Sequence, residues 1–154
     1  MKTARQWFDL YGESHRHPTN KAIHWVCVPL ILCTSLGLIQ SIPHPFPAPL
    51  HWGWVAALGM LGFYVALSRT LVLGMLVVLA VCLAVNHALA GVVPLLWVSA
   101  GVWAAAWLAQ FLGHEIEGKK PSFFQDVQYL LVGPAWLLHF VYQRAGVPVG
   151  GGVA

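Results

Sequence analysis

From Ala22 to Ser68 the chain holds no Asp, Glu, Lys or Arg, and from Thr70 to His114 it holds none again, so a single charged residue, Arg69, interrupts the whole central part of the sequence. Water-soluble folds are not built this way. A hydrocarbon core about 30 Å thick needs roughly 20 apolar residues per helical crossing, and each uncharged stretch is long enough for two crossings. Composition agrees: 58% of the 154 residues are hydrophobic and 8% are charged, against roughly 25% charged in soluble domains. The expected fold is all-α, a polytopic membrane helical bundle of four to five membrane helices plus an N-terminal amphipathic surface helix, in one domain over residues 1–154.

Local signals set the expected boundaries. Thr3 and Gln6 have capping-box spacing, and Trp7, Phe8, Leu10 and Tyr11 give the following segment an apolar side, which predicts a surface helix over about 3–14 with that side toward lipid. His17 and Pro18 are expected to end it, with Thr19 or Asn20 capping the next helix. Membrane helices are expected over about 21–40, 51–68, 70–90, 95–113 and 123–143. Pro43, Pro45, Pro47 and Pro49 make an extended connector, Arg69 marks a turn, and Gly91 with Pro94 separates the third and fourth spans. The charged stretch from Glu115 to Pro121 belongs outside the hydrocarbon. Ser122 and Gln125 form a second capping-box pair, Pro134 predicts a kink, and residues 145–154 read as a mobile tail. Met1 to Lys21 is polar and lacks the apolar core of a signal peptide, so the N-terminus is expected to be retained.

Positive charge orients the bundle. Lys2, Arg5, Arg16 and Lys21 precede the first span, Arg69 lies between the second and third, and Lys119 and Lys120 follow the fourth, so all fall on one side if every span crosses. By the positive-inside rule that side is cytoplasmic, with Arg144 as the exception. A bacterial inner membrane is favoured, or the endoplasmic reticulum in a eukaryote. A net charge of +3 is too small and scattered for a nucleic-acid partner. Cys27, Cys33 and Cys82 lie in apolar runs without CxxC spacing and read as small buried residues.

Eight histidines beside five acids are the odd feature, because histidine is the commonest protein metal ligand. The topology places His15, His17, His24 and His114 at cytoplasmic helix ends, and His44, His51, His87 and His139 near the opposite face. Asn20 and His24 share a helix face at i, i+4, and His114 and Glu117 project together at i, i+3. The break at Pro18 lets His15 fold back toward His24. Three imidazoles and a carboxylate from three segments suit iron or another divalent metal with open coordination positions; the same spacing suits interfacial polar residues with Glu117 as a solvated charge. His44 and His51 flank a polar loop, and His87 and His139 read as interhelical hydrogen-bonding residues. Other classes remain in view. A transporter or scaffold predicts ionisable groups in mid-span, which the sequence lacks. A haem protein would use His87 and His139, and a di-iron hydroxylase would carry HxxxH and HxxHH boxes, which are absent.

Two segments carry a resemblance: YGESHRHPTNKAIHWVCVP, from Tyr11 to Pro29, and QFLGHEIEGKKPSFFQDVQYLLVGP, from Gln110 to Pro134. They resemble the yeast-type 2-hydroxy fatty acid dioxygenase family, once known only as a membrane family of unknown function, and the likeness runs from about Trp7 to Tyr142. The resemblance implies an Fe(2+)-dependent oxidoreductase of lipid metabolism that uses O2 to shorten a 2-hydroxy fatty acid by one carbon (alpha-oxidation) at the face of a lipid bilayer. It implies metal ligation by His15, His24, His114 and Glu117, and catalytic roles for Asn20 and Glu117. The sequence departs from the yeast pattern in an interval from His114 to Pro121 that is one residue shorter, and in Ser122 where alanine is usual.

Overall fold

A computed structural model of the chain describes residues 3–118 and 123–149, with the side chains of 123–128 outside the description. Among the described residues it has six helices and no strand: α1 (Ala4–Gly12), α2 (Pro18–Gln40), α3 (Trp52–Leu67), α4 (Arg69–Ala90), α5 (Leu95–Glu117) and α6 (Phe123–Arg144). The Ser122–Gln125 capping pair lies outside the described residues.

Helix α1 starts where Thr3 Oγ1 accepts from Gln6 N at 3.3 Å and Gln6 Oε1 accepts from Thr3 N at 2.9 Å, which satisfies two N–H groups of the first turn. Its apolar side faces protein rather than lipid, because Phe8 and Tyr11 are buried in the main core. Helix α2 begins at Pro18, earlier than the expected Lys21. Proline at the first helical position gives up an N–H that would have no partner there, and its steric demand falls on the preceding residue. That residue, His17, is extended and caps the helix itself, Nδ1 accepting from Thr19 N at 3.2 Å, so neither Thr19 nor Asn20 is the cap.

Between α3 and α4 the helical path is broken only at Ser68, which is extended. Helix α5 continues past Gly113 to Glu117, and ends at left-handed Gly118 with φ 75°. Gly113 is needed for another reason: a Cβ there would collide with Asn20 Oδ1, so its absence lets α5 close on α2.

Helix α2 is the hub, packing on α3, α4, α5 and α6. It runs antiparallel to α5, where Gly113 faces Asn20 and Trp103 Nε1 donates to Ser35 Oγ at 3.1 Å. It runs parallel to α4, where Asn86 Nδ2 donates to the Cys33 carbonyl at 2.8 Å. Leu32, Leu36, Tyr64, Leu71 and Met75 fill the space between. Among the described residues three helices, α2, α4 and α5, are long and apolar enough to cross a membrane, and α3 is a shorter apolar helix.

Helix α6 takes a direction other than that of a fifth parallel helix. Tyr64 Oη, near the end of α3, donates to the Leu131 carbonyl at 2.9 Å. Gly74, near the start of α4, is so close to α6 that a Cβ would come within 2.6 Å of Leu138 Cδ2, and it also faces the Tyr142 hydroxyl. Gly133 faces Val28 in the first half of α2. From Leu131 to Tyr142, roughly 16 Å of helix, α6 therefore stays at one end of the α2–α5 bundle and lies across it. Helix α1 runs antiparallel over α6, with Tyr11 beside Tyr129 and Trp136, and Phe8 stacked on His139 at 5.0 Å. His139 thus sits against α1, not at the far face with His87 as the five-crossing arrangement expects. Residues 145–149, expected as the start of a mobile tail, turn back through Gly146, where φ is 70°. Val147 N donates to the Tyr142 carbonyl at 2.9 Å, and Val149 packs against the core. Residues 150–154 lie outside the description.

Candidate metal centre

His15 comes from the connection between α1 and α2, where Ser14 N donates to the Tyr11 carbonyl and His15 N to the Gly12 carbonyl, a turn that sends the imidazole back under α1. Its ring stacks on Tyr11 with centroids 4.1 Å apart. His24 projects from the second turn of α2 and His114 from the last turns of α5. Ring centroids are 4.2 Å apart for His15 and His24, 5.2 Å for His15 and His114, and 5.0 Å for His24 and His114. One donor nitrogen from each lies within 4.8 Å of the other two, and all three residues are buried.

Two of the tautomers follow from the hydrogen bonds. Nδ1 of His15 lies 2.5 Å from the Tyr11 carbonyl and Nδ1 of His24 lies 3.0 Å from the Asn20 carbonyl. A carbonyl only accepts, so each Nδ1 carries the hydrogen and each Nε2 keeps its lone pair. This is how metal-ligating histidines are oriented. His15 Nε2 is buried without a hydrogen-bond partner. Orphaned buried polar atoms are rare, and a cation held among the three imidazoles would satisfy this one. Burial, reinforced by nearby His24 and His114, pushes the His15 pKa down to about 3, so its ring is neutral near pH 7, the state a ligand needs. The residues present fit a divalent transition metal that accepts imidazole nitrogen.

Glu117 stands beside this group rather than in it. Its Oε1 accepts from Arg16 N at 2.8 Å, and its Oε2 accepts from His17 N at 2.8 Å and from Asn20 Nδ2 at 3.2 Å. Asn20, fully buried, also donates to the Ser14 carbonyl at 3.0 Å. The carboxylate and the amide together tie the connection that carries His15 to α2 and to the end of α5.

The other histidines are elsewhere. His17 is the α2 cap. His51 caps α3, its Nδ1 accepting from Gly53 N at 3.1 Å; it is buried rather than loop-exposed, and with His87 it lines a cavity of about 210 Å³. A haem held by His87 and His139 is excluded by placement: His139 follows Leu138, which packs on Gly74, roughly 20 Å of helix before His87. Lys119 and Lys120 lie outside the described residues. Sequence reasoning passed over Gln110. It lies one turn before His114 on the same face of α5, is buried, and lines a cavity with Tyr11, His24, Val28, Ile31, Trp107, Tyr129 and Leu130. A polar residue four positions from a candidate ligand in an apolar span was the available signal.

No curated protein and no solved structure matches the chain. One family model does, described as 2-hydroxy-palmitic acid dioxygenase Mpo1-like, over residues 1–145. That stretch holds both the histidine cluster and the Asn20–Glu117 contacts that position it, and the chain belongs to the Mpo1-like family.

Proposed function

We propose that the protein is an iron(II)-dependent dioxygenase that shortens 2-hydroxy fatty acids by one carbon. The observation that carries this is the convergence of three buried imidazoles from three segments, with His15 Nε2 left without a partner; the family name supplies the substrate class. His15, His24 and His114 would hold the metal. Iron bound there would supply the redox chemistry by which oxygen cleaves the bond between C1 and C2 of the substrate. The protein's own part is to bind, orient and exclude. Tyr11 and Trp136 cover His15 on the α1–α6 side, with ring centroids at 4.1 and 5.5 Å, and keep bulk water from that ring. Glu117 and Asn20 position His15 and are assigned as positioning residues, with no ligand role for Glu117.

Helices α2 to α5 are assigned as four spans, with α1 and α6 lying at the membrane surface on the side of Arg69. The single domain is read as ending with the turn after α6. Four crossings put Arg144 on the same side as Arg16 and Arg69, which removes the exception to the positive-inside rule that five crossings create. The centre then opens toward the cytoplasm, of the bacterial inner membrane on the earlier reading. A carboxylate headgroup would lie at the interface and its acyl tail among the spans.

Metal analysis of purified protein tests the reading. Iron is expected in the wild type together with oxygen-dependent shortening of 2-hydroxypalmitate, and both are expected to be lost in His24→Ala and His114→Ala. Equal metal content in all three proteins would remove it.

A further inference from the structure

The cavity below His24 is small. Its floor is α2, through His24, Val28 and Ile31, spaced at i, i+4 and i+7; its walls are Tyr11 of α1, Trp107 and Gln110 of α5 and Tyr129 and Leu130 of α6. It measures about 20 Å³. That is room for a group of the size of one water molecule, and far too little for an acyl chain. His24 belongs both to this cavity and to the histidine cluster, so whatever fills the cavity lies beside that cluster.

Gln110 is the one amide side chain among the described lining residues. It is 6% exposed and lines the cavity. An amide in that position is completed by whatever fills the cavity, and a ligand that bonds to it there is favoured over one that does not. The amide offers donors and an acceptor together. A carboxylate is drawn to the cation rather than to a neutral amide, and no Lys or Arg is among the described residues that line the cavity; dioxygen needs no amide. A hydroxyl donates and accepts, is neutral, and has the right size.

We infer that Gln110 recognises the 2-hydroxyl of the substrate, its Oε1 accepting the hydroxyl hydrogen, and that this contact selects 2-hydroxy acids over unsubstituted ones. The inference rests on the proposed dioxygenase reading and adds a specificity-determining residue to it. Leaving that contact unmade by a substrate without the hydroxyl, or by a side chain without the amide, lowers affinity on the order of tenfold.

The experiment measures binding of radiolabelled 2-hydroxypalmitate and palmitate by equilibrium dialysis against detergent-solubilised, metal-free protein, alongside iron content and turnover of the iron-loaded enzyme. Wild type is expected to prefer the hydroxy acid on the order of tenfold, and Gln110→Met to bind both acids alike while keeping full iron content. Retained preference in Gln110→Met overturns the inference and leaves the dioxygenase reading intact. Absence of iron and turnover in the wild type overturns the dioxygenase reading instead. If Gln110→Met does not fold, 2-fluoropalmitate decides in the wild type, because fluorine is no larger than the hydroxyl and has no hydrogen to donate. Weaker binding than the hydroxy acid supports the contact, and equal binding overturns it.

Discussion

Glu117 shows how a residue can hold a histidine cluster together without joining it. Both of its oxygens are taken by N–H groups of Arg16, His17 and Asn20, so its removal frees the connection carrying His15 while leaving His24 and His114 in place. Glu117→Ala is expected to weaken iron binding by about 10–100-fold, measured by titration of the purified protein, where His24→Ala abolishes it. His15 gives the metal-free protein a pH dependence of known sign. Its pKa falls from 6.5 to about 3 on burial, so between those values the unfolded chain binds a proton that the folded chain does not. Stability is full above about pH 6.5 and declines as pH falls toward 3; thermal midpoints in detergent should drop from pH 7 to pH 5, and drop less in His15→Gln. The nearness of the three histidines was legible from helix spacing and the break at Pro18. The partners of Glu117 were not, because two of them are backbone groups of a connection, and no side-chain periodicity reports where a connection points its N–H groups.

At the scale of helices, the close pair is α2 with α5, and glycine makes it possible. Gly113 has Asn20 Oδ1 where a Cβ would stand, whereas Gly101, on the same helix, has nothing within 4 Å. Gly113→Ala is therefore expected to cost roughly 1–3 kcal/mol and to lower the thermal midpoint, with iron affinity falling as Asn20 shifts. Gly101→Ala should be neutral or slightly stabilising, since alanine is the better helix former. Hydropathy located α2 to α5 because uncharged length is a direct record of what lipid demands. It set the end of the fourth span too early, at Gly113, because glycine in sequence does not say whether it ends a helix or admits a neighbour. Pro18 misled only about where the break ends, since it is the first residue of α2 rather than part of the connection.

For the molecule as a whole, the number of crossings turns on α6. Its length and apolar content allowed a fifth span, but direction is set by packing, and the contacts of Leu131, Leu138 and Tyr142 with the near ends of α3 and α4 turn it across the bundle. Those contacts join residues far apart in sequence, and no window average contains them. A membrane-impermeant thiol reagent should label Arg144→Cys and Arg69→Cys from the same side, and Val92→Cys from the other; labelling of position 144 with position 92 would restore the fifth crossing. The histidine cluster, formed at the start of α2 and the end of α5, has a further consequence for traffic. On the proposed function and span assignment, chemistry would be confined to a single leaflet, so a hydroxy acid delivered to the opposite monolayer would have to flip before it is consumed. In vesicles loaded asymmetrically, the rate of that flip rather than of the enzyme would set the turnover observed.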